Sequence, residues 1–136
     1  MTVVLDASLA LTWFFEDEAT PETDRLLDRV SHEGAVVPAL WRLELGNVLL
    51  QAERRGRISA ANVERGLALV GGLPISVDPE TISRAWRDTL ALARTERLTV
   101  YDASYLELAI RRRIPLLTLG EELAAAIRRQ GNEAYP

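Results

Sequence analysis

Apolar residues in this chain fall into two alternating patterns. Residues 2–5, 35–37, 75–77 and 116–118 form short, largely apolar runs bounded by acidic residues, proline or glycine, as buried strands are. Between the runs, apolar residues return every three or four positions; Leu43, Leu45, Val48, Leu49 and Ala52 give the longest clean example. Helices are therefore predicted over about 7–15, 21–32, 40–55, 60–70, from Asp78-Pro79-Glu80 to about 96, over 99–113 and over 120–130, with an edge strand at 133–135. Local punctuation agrees. Thr20 before Pro21 and Ser59 before Ala60 suit helix starts, and Gly34 and Gly56 suit helix ends. Strands alternating with helices predict an α/β domain over residues 1–136, with a central, mainly parallel sheet of four to five strands covered on both faces.

Ligands of such sheets bind outside the carboxyl ends of the strands, which directs attention to Asp6 and to residues 118–122. Composition then removes most chemistries. There is no cysteine, so disulfides, thiolate nucleophiles and cysteine-based zinc sites are excluded. The single histidine, His32, leaves no His-rich metal site. All 16 positive charges are arginine, which excludes lysine Schiff-base and P-loop chemistry. Any resident metal must be held by oxygen, which favours Mg²⁺ or Mn²⁺. The net charge of −4 argues against a general polyanion coat, though not against a nuclease whose own carboxylates contribute negative charge. The chain enters its first strand at Thr2 with no basic, cleavable leader and has no apolar run of about 20 residues, so a soluble cytoplasmic protein is the expectation.

Three dispersed acids are candidates for a metal site, and each has an ordinary structural alternative. Asp6 could cap the following helix by accepting from the Ser8 or Leu9 amide. Asp102 could complete a capping box with Thr99, and the helix dipole favours an acid there in any case. Glu44 could be a solvated helix charge paired with Arg42 or Arg54, with Asn47 one turn away. Glu121 and Glu122 open the last helix, where the dipole again suffices. Together the acids read differently. Two carboxylates ~4 Å apart repel by about 4 kcal/mol at an effective dielectric of 20, so a cluster of them calls for a cation. Metal ions on carboxylates can activate water for phosphoryl displacement without histidine or cysteine.

Four segments carry a resemblance to a known family. They are Val4-Leu5-Asp6-Ala7-Ser8, then Pro38-Ala39-Leu40-Trp41-Arg42-Leu43-Glu44-Leu45-Gly46-Asn47, then the stretch Leu98-Thr99-Val100-Tyr101-Asp102-Ala103-Ser104-Tyr105-Leu106, and Pro115-Leu116-Leu117-Thr118-Leu119. In order and spacing they resemble the PIN domain, specifically VapC-type toxins of toxin–antitoxin pairs. The resemblance spans nearly the whole chain, with Tyr101-Asp102-Ala103 and Tyr105-Leu106 its most specific piece. It implies a PIN-like α/β/α sandwich, Mg²⁺- or Mn²⁺-dependent cleavage of RNA, dimerisation, and inhibition by a cognate antitoxin protein. Asp6, Glu44 and Asp102 match the family's acidic ligands. The fourth acid is missing: its place is Gly120. Glu121, adjacent in sequence, is the first candidate to replace it and Glu122 the second; a one-metal site of three acids or a slow enzyme are the alternatives. Ser8 and Thr118 are candidates for hydrogen bonds to ligands or backbone. Arg42 and Arg111 to Arg113 are candidates for RNA phosphates, with a helix C-terminal dipole role as the alternative for the triple arginine.

Two other small α/β folds with strand-end acids fit poorly. A response-regulator receiver needs a lysine after a late strand, and a haloacid-dehalogenase-type phosphatase needs an acid where Ser8 stands. The remaining rival is a PIN-like module that binds RNA or protein without cutting.

Overall fold

Val3–Leu5 (β1) lies at the centre of the sheet with every side chain inaccessible to solvent. The computed structural model describes residues 1–136. Four more short strands flank β1: Ala35–Val37 (β2), Ile75–Val77 (β3), Leu116–Leu117 (β4) and Ala134–Tyr135 (β5). Their order is β3-β2-β1-β4-β5, and all pairs are parallel. Valine and leucine fill the three inner strands because each is covered on both faces, whereas edge strand β3 carries the half-exposed pair Ser76 and Val77.

The helices are Ala7–Ala10 (α1), Pro21–Glu33 (α2), Trp41–Arg54 (α3), Ala60–Gly71 (α4), Thr81–Arg84 (α5), Leu90–Glu96 (α6), Val100–Arg112 (α7) and Glu121–Arg129 (α8). The stretch predicted as a helix over 7–15 is shorter. It tightens into a 3₁₀ turn at Leu11–Trp13, where the Thr12 hydroxyl bonds the Leu9 carbonyl at 2.7 Å. Between α5 and α6 the chain widens into a π-helix at Ala85–Thr89 and presents Trp86 to solvent at 89% exposure. Elsewhere the sequence signals operate as expected. Thr20 and Thr23 form a reciprocal capping box at α2, and Ser59 caps α4 through the Asn62 amide at 3.1 Å.

Right-handed crossovers fix the layers. From β1 through β2 to β3 the chain moves one way across the sheet, so α1 to α4 share one face. It then returns past β1 to β4 and β5, so α5 to α8 share the other. Packing of α1 on α3, α3 on α4, α6 on α7 and α7 on α8 agrees. The direction reverses between β1 and β4, where the first residues past the strands are Asp6 and Thr118. No helix is long and apolar enough to cross a membrane.

Arg111 does not serve as a free phosphate ligand or merely as a dipole partner. Its guanidinium is forked between Asp78 (2.7 Å) and Glu107 (2.7 Å) and also reaches Glu80 at 3.2 Å. Glu107 and Asp78 are both buried, and Arg84 approaches Glu107 from the next helix at 3.7 Å. Burial pushes the Asp78 carboxyl up, but Arg111, the Glu80 amide and Thr81 outweigh it and hold the group below its ordinary range. This network ties the end of β3 to α7 and leaves Arg112 and Arg113 as the exposed members of the triplet. Arg113 itself ends α7 in the left-handed conformation, at φ 55°.

Candidate active site

Asp6 is placed by the sheet. Its amide donates to the Leu117 carbonyl at 2.9 Å, so the residue is still registered on β4 as the chain turns into α1. Its side chain does not cap that helix. Instead Oδ2 accepts from the Ser8 hydroxyl and the Thr118 hydroxyl, each at 2.7 Å, while Oδ1 makes no hydrogen bond. The two hydroxyls are themselves braced. The Leu119 amide donates to Ser8 Oγ at 3.1 Å and the Gly120 amide to Thr118 Oγ1 at 2.9 Å. A buried carboxylate is thus held by one oxygen across the switch point, with the other left free for a ligand.

Glu44 comes from α3, one face of the sheet away, flanked by buried Trp41 and Leu45. Neither Arg42 nor Arg54 pairs with it, and its Oε1 is buried without any hydrogen-bond partner. Burial pushes its carboxyl up to about 7, with Asp6 and Asp102 adding to the shift and the nearby Tyr105 hydroxyl opposing it. An orphaned buried carboxylate oxygen costs about 1–3 kcal/mol or more. That cost marks Glu44 as a group awaiting a partner.

Asp102 enters from the opposite face, in the first turn of α7. Thr99 caps this helix by accepting the Asp102 amide at 3.1 Å, but the Asp102 carboxylate does not return the bond, so only half of the expected capping box forms. Although the residue is exposed, its carboxyl is raised by loss of surrounding solvent, then by Asp6 and by Glu122.

The last helix separates its two leading acids. Glu122 is the one whose charge reaches Asp102. Glu121 lines a different hollow with Thr118, Leu119, Ala124 and Arg128. Gly120, where the fourth acid is missing, has an ordinary φ of −73°. A β-carbon there would stand 3.3 Å from Thr118 Oγ1, hard against the hydroxyl that holds Asp6. Thr118 therefore occupies, with a neutral donor, the neighbourhood in which another acid would add charge.

Two residues near the acids, Tyr105 and Glu122, were not set apart along the chain. Tyr105 is fully buried beside Asp6 and Glu44, which both raise its hydroxyl pKa after burial has done so. Its signal was the i, i+3 spacing from Asp102, which places both on neighbouring positions of one helix face. Glu122 had none that distinguished it from Glu121; both are exposed at the helix start, and only the charge of Glu122 reaches Asp102.

No three of these carboxylates converge closely enough to chelate an ion as they stand. The donor set still suits a hard divalent cation. It is all oxygen, it leaves Asp6 Oδ1 free, it contains the unpartnered buried Glu44 Oε1, and Glu44 and Asp102, raised first by burial, are raised further by the Asp6 charge.

A parallel sheet with acids from both faces near its switch point defines an α/β fold of the kind whose ligands bind at the strand ends. The PIN domain family matches residues 3–128, and the chain belongs to that family. It is similar to Ribonuclease VapC3 of Pyrobaculum aerophilum, 27% identical over 124 residues that cover 91% of this chain and 93% of that one. The crystal structure of PAE2754 from Pyrobaculum aerophilum shares the fold, with a TM-score of 0.71 and 24% identity over 98% of this chain and 89% of that one. The expected PIN-like α/β/α architecture is therefore the observed one, with five strands, all parallel.

Proposed function

We propose that this protein is a Mg²⁺- or Mn²⁺-dependent endoribonuclease of the VapC type. The observation that carries the reading is Glu44: a half-buried carboxylate with one buried oxygen unpartnered, close enough to Asp6 and Asp102 for their charges to raise its pKa. Nothing in the fold itself requires an acid there. PIN family membership and the likeness to a ribonuclease supply the substrate class.

In this reading Asp6 and Asp102 hold the cation most directly, Glu44 completes the set or orients the water, and Glu122 stands nearer the fourth position than Glu121. A bound divalent cation supplies an acidified water and offsets charge on the phosphoryl oxygens. The chain's own contribution is positional. Ser8 and Thr118 fix Asp6 by Oδ2, so that Oδ1 faces the site. Glu44, at about 7, sheds its proton near neutral pH, and compensating positive charge favours that loss.

A second reading, a PIN-like module that binds RNA or protein without cutting, draws support from the open spacing of the acids and from Gly120. One assay separates the two. Nuclease-free protein incubated with a single-stranded RNA pool is expected to cut it with Mg²⁺ or Mn²⁺ and to leave it intact with a chelator. Cutting that persists in chelator, or none with either metal, contradicts the enzymatic reading. The partners belong to the same proposal: a cognate antitoxin and a second copy of this chain. Light scattering at micromolar concentration is expected to give the mass of a dimer, and a monomer's mass would remove the second copy from the account.

A further inference from the structure

The three acids at the switch point differ in how the protein supports them. Asp6 has two hydroxyl donors on one oxygen. Asp102 is open to water. Glu44 is half-buried, and its Oε1 is a fully buried oxygen that nothing in the fold satisfies. A second polar atom nearby shares that condition. The hydroxyl of Tyr105 is also buried and also without a hydrogen-bond partner, on a residue with no exposed surface at all.

Two orphaned buried groups side by side, one able to donate and one able to accept, form a natural pair. Tyr105 is anchored for this role. It lies in α7 between buried Ala103 and Leu106, on the helix that packs against β1 and β4, so its ring has little freedom. Asp6 is not its partner: Oδ2 is taken by Ser8 and Thr118, and Oδ1 receives no bond from the Tyr105 hydroxyl. A tyrosine hydroxyl is protonated at neutral pH and can donate.

We propose that Tyr105 is the positioning residue for Glu44: its buried hydroxyl donates to the ionised Glu44 carboxylate, directly or through one trapped water, and turns the other carboxylate oxygen toward the cation. The proposal rests on the cation-binding reading of the site. Tyr105 touches neither RNA nor metal. Its effect passes entirely through Glu44, in the manner of the hydrogen-bond partners that orient metal-binding carboxylates elsewhere.

Tyr105→Phe keeps the ring and removes only the hydroxyl. The test is a double-mutant cycle read by Mn²⁺ binding, measured as free ion by electron paramagnetic resonance, on parent, Tyr105→Phe, Glu44→Gln and the double variant. Tyr105→Phe is expected to weaken Mn²⁺ binding about 10-fold in the parent background and less than about 2-fold when Glu44 is already Gln. At pH 5, where Glu44 is protonated and the hydroxyl has no ionised partner, its metal-free melting temperature is expected to equal or exceed the parent's. Equal weakening in both backgrounds, or none in either, overturns the assignment while leaving the cation site intact. A marked fall in melting temperature also overturns it, because the hydroxyl would then have a structural partner. Failure of the parent to bind Mn²⁺ removes the cation reading itself, and this proposal with it.

Discussion

Asp6→Asn is expected to lower metal-dependent RNA cleavage on the order of 100-fold or more while leaving the fold unchanged. Asparagine is nearly isosteric with aspartate, and its side-chain carbonyl can still accept from Ser8 and Thr118 at the positions they now hold. The backbone bond from residue 6 to Leu117 is untouched. What disappears is one negative charge and one anionic ligand at the switch point. The same change has a second, independent signature. Asp6 contributes to the raised pKa of both Glu44 and Asp102, so its neutralisation brings both carboxyls down toward their ordinary range. Cleavage rates on a defined RNA and carbon-detected titration of the carboxyls read the two effects. Undiminished cleavage by a folded Asp6→Asn variant contradicts its role at the site.

Glu44→Gln is expected to make the metal-free protein more stable and the enzyme inactive. The folded-state carboxyl sits at about 7 against an ordinary 4.5, so the fold disfavours the ionised form. Below pH 4.5 Glu44 is protonated whether folded or not, and its ionisation costs nothing. As pH rises from 4.5 to 7 the unfolded chain ionises first and stability falls; above 7 the loss is complete. A shift of this size corresponds to at most about 3 kcal/mol. Solvent screening at the half-buried position reduces it to about 2 kcal/mol. Glutamine resembles the protonated form and escapes the penalty. Thermal melts of the metal-free proteins are therefore expected to coincide near pH 4.5 and to favour Glu44→Gln by several degrees at pH 8. A parent more stable than the variant at pH 8 would show that Glu44 is satisfied within the fold and has no need of a cation.

The fold was legible because its strands are buried on both faces and its helices are punctuated by caps. Val3-Val4-Leu5 and Ala35-Val36-Val37 read as parallel strands from apolar content alone, and Thr20, Ser59 and Thr99 mark helix starts that the structure uses. The π-helix at Ala85–Thr89 and the 3₁₀ turn at Leu11–Trp13 have no counterpart in apolar spacing. At the site, the strand-end position of Asp6 followed from β1. The side-chain bonds of Asp6 did not, because Thr118 is 112 residues away and only the sheet order brings it adjacent. Arg111 shows the same limit. A run of three arginines looks like a phosphate-binding surface, yet the first of them is turned inward by two acids far away in sequence or one helical turn back, Asp78 and Glu107.

The proposed nuclease requires that acids from both faces of the sheet hold one or more divalent cations at the β1–β4 switch point. Anomalous scattering from a crystal of the protein soaked in Mn²⁺ tests it directly. The predicted result is a peak bonded to Asp6 Oδ1 and to Asp102, with Glu44 turned toward it and Glu122 nearer than Glu121. Saturating Mn²⁺ that leaves Asp6 and Asp102 unoccupied, or that binds only at other acids, would contradict the account.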